Sequence, residues 1–70
     1  MSVQTFQLSG EHIQLIQLLK ATGLCGTGGE AKIVVSEGLI TVDGETETRK
    51  RCKLTRGKRI EYDGHTIEIQ

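Results

Sequence analysis

Thr27-Gly28-Gly29-Glu30-Ala31-Lys32-Ile33-Val34-Val35-Ser36-Glu37-Gly38-Leu39-Ile40-Thr41-Val42-Asp43-Gly44 carries the change of period on which the fold turns. Thr27 followed three residues later by Glu30 fits a capping box. In that arrangement the Thr hydroxyl accepts from the Glu30 amide and the Glu carboxylate reaches back to the Thr27 amide. The pattern predicts a helix from Gly28, with Ala31, Val34 and Val35 as its buried stripe and Lys32 and Ser36 together on another face. Two glycines in a first turn are poor helix formers, so a reason other than propensity is expected for them. Gly38 then closes the helix in the left-handed conformation. Beyond it the apolar period drops from about 3.6 to 2, and Leu39 to Val42 reads as a strand ended by the hairpin pair Asp43-Gly44.

Towards the N-terminus, Ile13, Leu15, Ile16, Leu18 and Leu19 recur at three- and four-residue spacing, which predicts a first helix over Glu11 to Ala21 ended by Gly23. Ser9 is its expected cap, and Thr5 to Leu8 alternates as a short strand would. Towards the C-terminus, Glu45 to Thr48 reads as a polar connection and Cys52 to Thr55 as a short strand. Ile60-Glu61-Tyr62 and Thr66-Ile67-Glu68-Ile69 alternate around Asp63-Gly64, a second hairpin. The order is strand, helix, helix, then three or four strands: an α+β fold with two helices on a small, mostly antiparallel sheet. Seventy residues make a single domain, 1–70, and with 36% apolar residues, one Phe, one Tyr and no Trp its core must be thin. Such a core leaves no room for a deep substrate cavity.

The formal charge is zero, from 9 basic and 9 acidic residues. Its distribution is uneven. Seven of the nine cations, Arg49, Lys50, Arg51, Lys53, Arg56, Lys58 and Arg59, fall in one stretch that no acid interrupts. A chain neutral in sum but polarised in space still presents a local positive potential to a phosphate backbone.

Taken together, Leu18-Leu19, Gly23-Leu24, Thr27 to Glu30, Ala31, Ile33-Val34, Gly38, Ile40, Val42 and Asp43-Gly44 resemble the S4-type, or alpha-L, RNA-binding domain, in its stand-alone bacterial form. The resemblance covers about Ile13 to Ile60. It implies that the second helix, the loop before it and nearby strand turns present cations to structured RNA of the ribosomal or transfer kind, without catalysis. Lys32 matches a basic position common in the family, and Lys20 is the other helical cation. The family's frequent Ser-Arg pair at the second helix is Thr27-Gly28 here: the cap is kept and the cation is not. The Gly28 and Gly29 amides remain to receive a phosphate oxygen. Near Gly57, Lys58 stands where an acid is often found. With few rings available, recognition of RNA shape is expected over recognition of sequence. Tyr62, in phase with Ile60, reads as core.

Other classes are weakly supported. The chain has no nucleophile with a base and orienter, no phosphate loop and no evident carboxylate pair, so neither enzyme chemistry nor a cofactor is expected. His12 and His65 lack partners at metal-ligand spacing. Cys25 and Cys52 read as reduced thiols, with a reactive Cys25 near a helix start or a redox or metal sensor built on both as the alternatives. The start, Met1 to Phe6, lacks the pattern of a secretory signal, and the longest apolar run, Ile33-Val34-Val35, is far too short to span a membrane. A cytoplasmic monomer without membrane partners is expected, associating with ribosomal particles if the RNA is ribosomal. The competing reading of the same cations is a module that docks an acidic protein or a ribosomal protein.

Overall fold

The second helix forms where its cap and stop signals place it. In the computed structural model, which describes residues 2–70, α2 spans Gly28–Ser36 and the Glu30 amide donates to Thr27 Oγ1 at 3.1 Å. The return half of the expected box is replaced: the Glu30 carboxylate faces the Cys25 thiol. Gly38, at φ 74°, lets its own amide and that of Leu39 reach the carbonyls of Val35 and Val34. This is the paired 5→2 and 6→1 closure that a left-handed residue permits.

The first helix is shorter than its apolar period suggests. α1 runs Leu15–Ala21, and Ile13–Gln14 forms a strand, β2, antiparallel to β5, Lys53–Leu54. Ser9 is therefore not its cap; Gln14 is, and the Gln14 amide donates to Gln17 Oε1. The next amides are met by the chain's basic stretch. Leu15 N donates to the Cys52 carbonyl at 2.9 Å and Ile16 N to the Lys50 carbonyl at 3.3 Å. A helix start leaves four amides without intrahelical partners, and here a distant segment supplies two of the acceptors.

Five strands make the main sheet, in the order β1-β7-β6-β3-β4. β1 is Ser2–Phe6, β3 Thr41–Val42, β4 Glu45–Thr46, β6 Arg59–Tyr62 and β7 His65–Ile69. β1 lies parallel to β7 and all other pairs are antiparallel. Both two-residue turns have two residues at positive φ, Asp43 with Gly44 and Asp63 with Gly64, the type I′ form that suits strand twist. Glu45-Thr46, expected as connection, pairs with β3 because the Asp43-Gly44 turn folds it back.

Ile60, Ile67 and Ile69 face the helices with Ile40 and Leu54, while Leu15, Leu18 and Leu19 of α1 and Ala31, Val34 and Val35 of α2 close the core from the other side. Tyr62 packs against this core half-buried, as its phase with Ile60 implies. Burying each large aliphatic side chain contributes about 1.5–3 kcal/mol, so a core this small depends on each one.

After β4 the chain is turned by one carboxylate. Glu47 accepts the Arg49 amide at 3.0 Å and, from the side chain, Arg49 Nε at 2.9 Å and Nη2 at 3.1 Å. The Arg49 guanidinium and amide hold the Glu47 carboxyl down from the usual 4.5 to about 2.

Two outcomes follow for stability. Leu54→Ala, which empties the link between the β2–β5 ladder and the core, should cost about 2–5 kcal/mol in urea denaturation, while Ile33→Ala, at a residue 59% exposed, should stay within about 0.5 kcal/mol of wild type. The lowered Glu47 value means that its contribution is full above about pH 4.5 and is lost as pH falls towards 2. Glu47→Gln should flatten stability against pH across that window, by no more than about 1 kcal/mol because the Arg49 side of the pair faces solvent.

Candidate nucleic-acid interface

Of the cations expected to contact a phosphate backbone, the structure sorts two kinds. Arg56, Lys58 and Arg59 are engaged within the protein. Arg56 Nη2 donates to the Leu8 carbonyl at 2.9 Å, tying the Thr55–Lys58 turn to the segment after β1. Lys58 Nζ lies 3.3 Å from Asp43 Oδ2, and Arg59 Nη2 lies 2.6 Å from Glu68 Oε2. The Arg59 amide also donates to Asp43 Oδ1, the largest cause holding the Asp43 carboxyl below the usual carboxylate range. These charges belong to a sheet face on which Arg59 is flanked by Asp43, Glu61 and Glu68 around an open polar hollow. That face has mixed sign.

Lys20, Lys32, Lys50, Arg51 and Lys53 are exposed and, among the described residues, form no ion pair. Lys50, Arg51 and Lys53 sit with Arg49 on the segment whose carbonyls meet the start of α1. The Cys52 amide also donates to the Arg49 carbonyl at 3.2 Å, so the backbone of this turn is satisfied on the protein side. Its side chains are left to solvent. Arg49 is itself 78% exposed although its edge is held by Glu47.

The other free cations lie at the far end of the same helix. Lys20 is in the last turn of α1, and its Cδ passes 3.7 Å from where a side chain at Gly28 would begin. Its stem therefore runs over the first turn of α2. Lys32 is one turn after Gly28 on the same face of that helix. The strand expected at Cys52 to Thr55 does not join the main sheet: β5 pairs with β2 in a separate two-stranded ladder, which puts Arg49 to Lys53 at the start of α1. The two groups are separated by α1 itself, seven residues or roughly 10 Å at 1.5 Å per residue.

Thr27, Gly28 and Gly29 stand where expected, at the start of α2. Neither glycine is demanded by the fold: both have ordinary φ, and a side chain on either would meet only ordinary van der Waals contacts. The reactive-thiol idea for Cys25 fails on its surroundings. The residue is buried, and burial first, then the Glu30 carboxylate, pushes the thiol up, away from an activated thiolate. Cys52, half-buried, is likewise pushed up, and both cysteines are free. Among the described residues no group of three His, Cys, Asp or Glu is placed to hold a metal ion, and no helix is long and apolar enough to cross a membrane. Glu47, which holds Arg49, is the structural partner of the basic stretch that sequence reasoning missed; its only signal was an acid two positions before the basic run.

Comparison with known proteins bears on the fold and the family. YbcJ of Escherichia coli (strain K12), whose name proposes RNA binding, is 42% identical over 66 residues that cover 93% of this chain and 94% of the relative. YbcJ of Shigella flexneri matches to the same extent. The solution structure of the E. coli protein, described as revealing an αL motif involved in RNA binding, superposes with a TM-score of 0.72 over 93% of this chain and 84% of that one. Residues 6–70, which include both helices, the loop between them and four of the five strands of the main sheet, match the S4 domain family: the chain belongs to that family, and its two helices and five-stranded sheet are the αL fold.

Proposed function

We propose that this chain is a non-catalytic binder of structured RNA, of the ribosomal or transfer kind, acting as a cytoplasmic monomer. The observation that carries the reading is the sorting of its cations: the late turn spends its charge on Asp43, Glu68 and the Leu8 carbonyl, while Lys50, Arg51 and Lys53, and Lys20 beside the start of α2, stay unpaired among the described residues. Membership of the S4 family and the RNA-binding designation of YbcJ support it. In this reading Lys50, Arg51 and Lys53 meet phosphates at one end of α1. Lys20 and Lys32 meet them at the other, beside the open Gly28 and Gly29 amides. Phosphate contacts position an RNA without reading its sequence, and the fixed spacing of two cationic groups selects for shape.

A protein partner of acidic character would also answer to free cations, and salt dependence on RNA separates the two. Affinity for a structured RNA hairpin, followed by fluorescence anisotropy, should fall with salt at a slope of about 0.7–0.9 per phosphate contact in logarithmic units. In the variant carrying Lys50→Ala and Arg51→Ala that slope should decrease by roughly 1.5 and affinity should drop. Arg56→Gln should lower stability through the lost Leu8 bond and leave the slope where it was. Absence of RNA binding, or a slope indifferent to Lys50 and Arg51, overturns the proposal. Replacing Gly28 and Gly29 by Ala should hold or raise stability, since helix propensity improves, and should weaken RNA binding if the backbone of α2 is approached directly.

A further inference from the structure

Arg49 differs from its cationic neighbours in how it is held. Its Nε and Nη2 both face the Glu47 carboxylate, at 2.9 and 3.1 Å, in a fork that fixes the guanidinium in the plane of the acid. Glu47 is in turn fixed: its Oε2 also accepts the Arg49 amide, and its side chain is only 15% exposed. One edge of the guanidinium is thus occupied and much of its charge is balanced locally. No other hydrogen bond to the guanidinium is formed among the described residues. With 78% of the side chain exposed, the plane stands in solvent beside an open hollow of about 480 Å³ lined by Arg49, Arg51, Cys52 and Lys53, with no acid in the lining.

A cation balanced by a carboxylate along its edge is a weak phosphate ligand compared with the unpaired Lys50 or Arg51. A guanidinium plane is nevertheless a good stacking partner for a nucleobase, since every base offers a π-face. Holding the plane in advance removes the side-chain ordering that stacking would otherwise cost. The hollow is open to solvent, and its unpaired cations Arg51 and Lys53 can hold the phosphates on either side of a nucleotide laid against Arg49. The chain's two aromatic residues do not compete for this role: Tyr62 and Phe6 both pack against the core.

We infer that Arg49, held edge-on by Glu47, is a stacking seat for an unpaired base, so that the RNA this turn selects is a helix interrupted by a bulge or an open loop. The inference rests on the RNA-binding reading above and adds to it the feature of the RNA that is recognised and the residue that recognises it.

The test uses the full chain and two RNA hairpins identical except for one bulged 2-aminopurine. Wild-type protein should bind the bulged hairpin about tenfold more tightly, the lower part of the range for one stacked base, and should quench the 2-aminopurine fluorescence. Arg49→Lys keeps the charge and loses the plane. It should cut affinity for the bulged hairpin several-fold more than for the paired one, collapsing the preference and the quench. Glu47→Gln, which loosens the fork, should reduce the preference part of the way. Equal binding of both hairpins by the wild type overturns the inference without any variant, as does an Arg49→Lys protein that retains preference and quench; both leave RNA binding itself standing. Binding to neither hairpin overturns the RNA-binding reading and this inference with it.

Discussion

Two backbone hydrogen bonds, from the amides of Leu15 and Ile16 to the carbonyls of Cys52 and Lys50, are the constraint on which the rest of the arrangement depends. The start of α1 must find acceptors, because a helix start has amides that the helix cannot satisfy. The chain meets that need with the segment that carries its densest positive charge. Carbonyls turn inward to the helix, and the side chains of the same residues have only solvent to face. The β2–β5 ladder and the buried Leu54 fasten the segment on one flank, and Glu47 fastens the turn on the other. Four cations are thereby displayed on a fixed backbone without ion pairs of their own having to fold it, apart from the one at Arg49.

The zero net charge of the chain conceals this division of labour. On the outer face of the sheet, cations and acids are matched in register: Arg59 stands directly opposite Glu68 across β6 and β7, and Asp43 receives both the Arg59 amide and Lys58. Exposed pairs of this kind contribute little each, but they cancel the local field. Around α1 only Arg49 is matched in this way, by Glu47, while Lys20, Lys32, Lys50, Arg51 and Lys53 form no ion pair among the described residues. In the proposed reading a ligand carrying regularly spaced negative charge meets the 49–53 turn and the Lys20–Lys32 junction, although a count along the sequence assigns the basic stretch to a single block.

How much of this was legible in the sequence follows from how local each cause is. Thr27 and Gly38 bound α2 through contacts within a few residues, and both act as their chemistry implies. Asp43-Gly44 and Asp63-Gly64 set two-residue hairpins, and the second places Ile60 against Ile67 and hence Arg59 against Glu68 by counting outward from the turn. The β2–β5 and β1–β7 pairings join residues distant in sequence and leave no local mark. Ile13 illustrates the difficulty: it sits in phase with the apolar face of α1 yet belongs to a strand against Leu54. The cationic stretch was legible as composition and not as geometry. That Arg56, Lys58 and Arg59 are spent internally, and that Arg49 is clamped by Glu47, depends on which side chains the tertiary fold brings together.

We propose that a backbone-fastened turn at 49–53, with Lys20 and the start of α2, forms the RNA-binding surface, and that the late turn does not. An amide-resolved NMR titration of the full chain with a structured RNA hairpin tests it most directly. The account predicts shift changes concentrated at residues 49–53, at Lys20 and at 27–32, with residues 56–59, Glu61 and Glu68 unmoved. Changes centred on residues 56–59 and the outer sheet face, with the 49–53 turn silent, would contradict it.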